Sequence, residues 1–266
     1  MQGVLPGDQH FLVTLPINVK SYATFVRTDS AELTIQPKTK LKSKLFIERL
    51  GHKLGIQIYG DLQITSEIPE GKGLSSSTAD MLASARAIEK YLHKTFSAID
   101  IESILRTIEP SDGIWHEHSV VYDHKRCSLI QSLGKIPSVE IISIDFGGEL
   151  NTLEYNSSKK VFLSDDKNAY QAFLSQLIEA FSSKDLYGIG KVATESAKLN
   201  QKHNFKTHLD RIIQISEEKQ AFGVINTHSG TCLGILVTPN SEISKEVLST
   251  VKQEFGNENV AVYNSI

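Results

Sequence analysis

The chain has 266 residues, 40% hydrophobic and 22% charged, enough for a sizeable core in one large domain or two smaller ones. A net charge of −3 with scattered basic residues argues against a nucleic-acid partner or an anionic membrane surface, and no apolar run approaches the ~20 residues of a membrane span. Only Cys127 and Cys232 occur, and the N-terminus lacks a charged segment followed by an apolar one, which excludes a disulfide framework and a signal peptide and predicts a soluble cytoplasmic protein.

The opening third reads as strands: "FLVTLPINVKSYATFV" and "AELTIQP" are β-rich and bounded by Gly, Pro and Asp. The basic run "KTKLKSKLFIERLGHKLGI" has helical apolar spacing and predicts a helix over 41–54 with a solvated basic face. The strand "IQIYGDLQITSEI" follows, then a helix carrying Met81, Ala85, Ile88 and Leu92 at spacings of four, three and four. A shorter helix, "IDIESILRTIE", leads into "PSDGIWHEHSVVYDHKRCSLIQSL", a loop and two strands. "GKIPS" at 134–138 breaks the pattern, and we place a domain boundary there, giving units 1–136 and 137–266. The second unit starts with the buried-strand run "VEIISIDF". It continues with a short strand "LNTLEYN", three helices, the strands "AFGVINT" and "CLGILVTP" joined by "HSG", the helix "EISKEVLSTVKQEF" and the strand "NVAVYNSI". The first of those three helices carries the stripe Tyr170, Phe173, Leu174, Leu177, Ile178 and Phe181. Strands and helices mix without strict alternation, so the fold class is α+β.

The stretch "IPEGKGLSSSTAD" places Gly71, Gly73 and a string of hydroxyls ahead of the second helix. A helix N-terminus presents unpaired N–H groups and the positive end of the macrodipole, and glycines beside it let backbone approach an anion. Gly71, Gly73 and Leu74 shape the turn, Ser75, Ser76, Ser77 and Thr78 supply donors, Ser76 is a hydroxyl suited to Mg²⁺, and Lys72 adds positive charge. A plain Ser/Thr cap with a glycine turn explains one or two of these residues, not the set. The P-loop pattern fails, because no glycine stands five positions before the Gly71-Lys72 pair.

Pro69 to Thr78 resembles the central P-x-x-x-G-L-G-S-S-A motif of the GHMP kinases. With "EPSDG" and "VVYDHKR" the resemblance is to the L-threonine kinase branch, which serves cobalamin synthesis. It implies a ribosomal-S5-like first half and a ferredoxin-like second half. It also implies Mg·ATP as phosphate donor and a small hydroxylated acceptor, L-threonine first, with a homodimer compatible. In that family this region opens with P-A-x-C-G-E-x-x-Q-G. Here only Gln2-Gly3 of that pattern is present, so we expect the first strand to be absent.

Glu109 and Asp112 stand three apart in "TIEPSDG". As loop acids in a type I turn they need no function. Beside a phosphate site, Glu109 suits a hard cation and Asp112 the acceptor hydroxyl, as base or as orienting group. The resemblance favours that assignment, with Glu102 as a second metal candidate. "NTHSGTCLGIL" forms a second glycine turn, a plain hairpin or an anion nest. It resembles the C-terminal glycine motif of the same kinases, which implies roles for Ser229, Gly230, Thr231 and Gly234. A serine-hydrolase elbow at Ser229 fails, since threonines occupy both positions where glycine is needed. His116 and His118 would share a strand face; with His124 and Cys127 they show no zinc spacing, and pocket lining fits better. The leading function is therefore a Mg·ATP-dependent kinase of L-threonine. The alternatives are a kinase of another small alcohol, an ATP-dependent decarboxylase, or a silent ligand sensor on the same fold.

Overall fold

The computed structural model describes residues 1–147, 161–227 and 230–266, so the predicted strand "LNTLEYN" and Ser229 lie outside the described residues. Three sheets carry the chain. The first has strand order β1-β2-β6-β7, from Gln2–Leu5, Gln9–Val13, Ser119–Asp123 and Ser128–Gly134, all antiparallel. In the second, β5 (Gly60–Ser66) lies between β3 (Ser21–Val26), antiparallel to it, and β4 (Leu33–Gln36), parallel to it. The third is antiparallel in the order β11-β8-β10-β9, from Val260–Asn264, Glu140–Asp145, Cys232–Val237 and Gly223–Asn226.

Helix α1 (Leu41–Leu54) buries Phe46, Ile47 and Leu50, a stripe at helical spacing, and ends where Gly55 turns left-handed at φ 68°. Each such side chain contributes about 1.5–3 kcal/mol of burial. Helix α2 (Ser76–Leu92) lays Met81, Ala85 and Ile88 into the same core. Helix α3 (Ala98–Leu105) opens on a capping box between Ser97 and Asp100. It stops four residues short of the predicted end, where the bonding tightens to Thr107 N–H on Ile104 O and Ile108 N–H on Leu105 O. The turn that follows, with Glu109 N–H bonded to Leu105 O at 3.1 Å, carries Glu109 out of the helix.

In the second half, β8 has neighbours on both sides and is buried on both faces, which is why it reads as an unbroken apolar run. Ile142 and Ile144 join the core under α6 (Leu209–Glu218) and α7 (Glu242–Phe255), while Ile141 joins the one under α4 (Ser164–Ser183) and α5 (Leu186–Asn200). The predicted stripe of α4 does not stay within its own half. Tyr170 and Leu174 pack with Leu5, Phe11 and Val121 of the first sheet.

Several local readings are corrected. The opening "FLVTLPINVKSYATFV" is two strands in different sheets, separated at Pro16, with one bridge from Ile17 to Ser265 between them. Strand β1, including Gln2 and Gly3, is unassigned by pattern because four residues hold too little alternation. His116 and His118 lie in turns ahead of β6, so they share no strand face.

Helix α5 crosses β9 at a contact that glycine alone permits. A Cβ on Gly190 would stand 2.0 Å from the carbonyl oxygen of Phe222, and one on Gly223 would stand 2.3 Å from that of Gly190. Gly190→Ala is expected to destabilise the protein by about 1–3 kcal/mol, measured by urea unfolding.

Candidate active site

Helix α2 begins abruptly. Gly71 and Gly73 adopt φ values of 73° and 77°, and Ser75 itself is left-handed at 61°. Ser75 occupies the cap position but its hydroxyl does not cap the helix; it donates to Oδ2 of Asp112 instead. The intrahelical ladder starts with Ala79 N–H to Ser75 O at 2.9 Å, which leaves the N–H groups of Ser76, Ser77 and Thr78 ahead of it. The plain-cap explanation therefore fails on geometry: the hydroxyl that would serve as cap is turned to a carboxylate, and the dipole end is left for something else.

That end opens on a small cavity of about 90 Å³ lined by Gly71, Gly73 to Thr78, Glu109, Asp112, His124 and Gln2. The predicted donors and both predicted acids are thus in one place. The hydroxyl meeting Glu109 is that of Ser77, donating to Oε1 at 2.6 Å; Ser76 lines the same cavity. Lys42 holds the other Glu109 oxygen at 2.5 Å. Lys40, two residues earlier, reaches Asp80 and Glu70 at 2.5 Å each, and Ser21 donates to the second Asp80 oxygen at 2.5 Å. The basic run is therefore a solvated face only in part: Lys38 is exposed, but Lys40 and Lys42 turn in against Glu70, Asp80 and Glu109. Glu102 points elsewhere, with His116 at 3.7 Å and the Tyr122 hydroxyl as its neighbours.

Burial pushes the Asp112 carboxyl above its ordinary range; the Ser75 hydroxyl opposes this and the nearby Glu109 charge adds to it. Among the described residues no group of three His, Cys, Asp or Glu side chains can hold a metal ion. Glu109 with the first-turn hydroxyls does fit Mg²⁺, which takes one or two carboxylates and completes its shell with phosphate oxygens and water. His124 meets Gln2 at 3.2 Å, and His116 lines a larger cavity nearby.

The second glycine turn lies against the first. A Cβ on Gly230 would stand 1.9 Å from the Lys72 carbonyl oxygen, and one on Gly73 would stand 2.9 Å from the Gly230 Cα. Lys72 pairs with Asp145 at 2.9 Å, and Thr231 donates to the same carboxylate at 2.5 Å. Burial works to raise the Asp145 pKa, but these bonds outweigh it and hold the group below the ordinary value. Gly234 is not part of the turn. It lies inside β10 opposite Ser143 and Ile225, where a Cβ would strike Ile141 at 2.9 Å. Beside the turns lies a cavity of about 560 Å³, lined by Ser75 and Asp112 together with Ile141, Ile225 and Tyr263.

Residues 40–115 match the family described as GHMP kinases N terminal domain. The solved mevalonate kinase of Methanococcus jannaschii superposes with a TM-score of 0.73 at 18% identity, over 97% of this chain and 92% of that one. This chain has the GHMP kinase fold. Among curated proteins, an L-threonine kinase of Citrobacter freundii is 26% identical over 242 residues, 90% of this chain and 83% of that protein. An L-threonine kinase of Salmonella typhimurium is 24% identical over 178 residues, 66% of this chain and 59% of that protein. The family match takes in "GKGLSSSTAD", and the likeness in fold extends over nearly the whole chain.

Asp145, Lys40, Lys42 and Lys206 were not singled out as site residues. Asp145 had one available signal, a carboxylate ending a buried strand; the lysines stand in stretches without a motif.

Asp112 supplies a test free of catalysis. Its carboxyl is raised in the fold, so between the ordinary value of 3.8 and the raised one the native state binds more protons and stability falls as pH rises. Asp112→Asn removes the cost of that buried charge. It should raise Tm by roughly 2–4 °C at pH 7, with the gain vanishing near pH 3, measured by thermal melts.

Proposed function

We propose that the chain is a Mg·ATP-dependent kinase that transfers the γ-phosphoryl group to the side-chain hydroxyl of L-threonine, giving O-phospho-L-threonine for cobalamin synthesis. One observation carries the kinase reading: an uncapped helix start, rich in N–H and hydroxyl donors, meets two carboxylates in one small cavity. Gly71 to Thr78 cradle the phosphates, with Gly230 and Thr231 across from them and Lys72 adding charge. Ser76 and Glu109 would hold the cation, which would supply charge compensation for the transferring group; Lys42 is bonded to one Glu109 oxygen. Asp112 addresses the acceptor hydroxyl. With its pKa raised by burial it is a better proton acceptor than a surface aspartate.

The acceptor assignment rests on the likeness to the two L-threonine kinases. One observation favours a different small alcohol: the 560 Å³ cavity beside Asp112 is larger and more apolar in lining than a threonine side chain requires. No helix among the described residues is long and apolar enough to cross a membrane, and both cysteines are free and buried.

The protein incubated with Mg·ATP and a panel of hydroxy amino acids, sugars and other small alcohols should form ADP and phosphothreonine. ADP with phosphate on another alcohol replaces the acceptor; CO₂ release replaces the reaction class; bound ATP without turnover of any acceptor leaves a sensor. Ser76→Ala and Asp112→Asn are each expected to lower kcat by about 10²-fold or more with circular dichroism unchanged. Near-wild-type turnover in either variant removes that residue from the mechanism.

A further inference from the structure

Lys206 is buried, 8% exposed, in the segment between α5 and α6. Its backbone is bracketed by one side chain: Gln201 accepts from Lys206 N–H at 2.8 Å and donates to Lys206 O at 3.0 Å. Its ammonium then reaches into the second glycine turn. Nζ lies 2.6 Å from Thr227 O, 2.8 Å from Gly230 O, 3.1 Å from Cys232 O and 3.3 Å from Thr227 Oγ1. An ammonium has three protons to donate, and three backbone carbonyls take them. The contacting oxygens are all carbonyl or hydroxyl, so the cation sits in an oxygen cage of the kind that holds a monovalent metal ion. Thr227 closes the cage, accepting from Cys232 N–H and donating to Cys232 O at 3.1 and 3.0 Å.

We propose that Lys206 is a positioning residue for phosphoryl transfer, a tethered monovalent cation that gathers the carbonyls of Thr227, Gly230 and Cys232 and so seats the second glycine turn on the first. The inference rests on the kinase reading for its catalytic consequence, not for its geometry. The path is short. Gly230, whose carbonyl Lys206 holds, is the residue pressed on Lys72 and Gly73, and its neighbour Thr231 binds the Asp145 that pairs with Lys72. Loss of the cation frees three carbonyls that otherwise converge, and their mutual repulsion opens the turn. Burial lowers the Lys206 pKa to about 8, while the nearby Cys232 and Asp145 work to raise it. Both groups lie on strands packed against the cage, Cys232 on β10 and Asp145 on β8.

The test is Lys206→Ala, read two ways. A displacement of about 1 Å at a reacting centre can cost 10²-fold, so kcat/KM for Mg·ATP should fall roughly a hundredfold. Ammonium or methylammonium ions should restore much of it, and tetramethylammonium, with no N–H, should not. By hydrogen exchange, the amides of Gly73 and of Gly230 to Leu233 should lose protection and regain it with ammonium, while those of α1 and α7 stay unchanged. Lys206→Gln, which keeps a donor without the charge, takes the place of the alanine variant if that variant does not fold. Unchanged exchange at these amides, rescue by all three cations alike, or global unfolding of both variants overturns the proposal. A wild-type protein that phosphorylates no acceptor overturns the kinase reading instead, and the exchange experiment still decides Lys206.

Discussion

The site depends on a helix that begins without a cap. Ser75 is forced into the left-handed region between two glycine-permitted turns and the first turn of α2, and its hydroxyl is spent on Asp112 rather than on the helix. The N–H groups of Ser76, Ser77 and Thr78 are thereby left at the mouth of a cavity with the positive end of the macrodipole behind them. A helix end in that state is stabilised by an anion. Every other feature near it follows from the need to balance that positive field with acids and the acids with cations: Glu109 against Ser77 and Lys42, Asp80 and Glu70 against Lys40.

The second constraint is contact between the two glycine turns. Gly73 and Gly230 meet at a distance no Cβ tolerates, and the Lys72, Asp145 and Thr231 bonds cross the same junction. The first turn belongs to the segment before α2, the second to the connection between β9 and β10. A site made from both would lie at this junction, beside the larger cavity. Elsewhere α4 packs on the first sheet, where Tyr170 and Leu174 share a core with Phe11 and Val121. In a kinase this arrangement allows binding energy from one half to align groups carried by the other.

Sequence periodicity located long elements well because their own residues carry the signal. Helices α1 and α7 run over the predicted 41–54 and 242–255, and β8 lies within its apolar run. The hydroxyl-rich turn was legible because eight consecutive residues, Gly71 to Thr78, that are small or beside a glycine exceed what a cap requires. Features set by distant partners were not. Lys40 and Lys42 look like a solvated face until Asp80 and Glu109, 40 and 67 residues on, draw them inward. Lys206 has no motif around it, and its cage comes from carbonyls that sequence does not mark. Gly234, which the family resemblance places in the glycine motif, lies in β10 against Ile141 and Ile225 and lines the larger cavity.

The central proposal is that the amides opening α2 grip a nucleotide's phosphates. Amide hydrogen exchange of the full chain, with and without saturating Mg·ATP, addresses those groups directly. The claim requires exchange at Gly73 to Thr78 to slow strongly on nucleotide addition, with Gly230 and Thr231 following. Binding of ATP that leaves those amides exchanging at the unliganded rate would place the nucleotide elsewhere and contradict it.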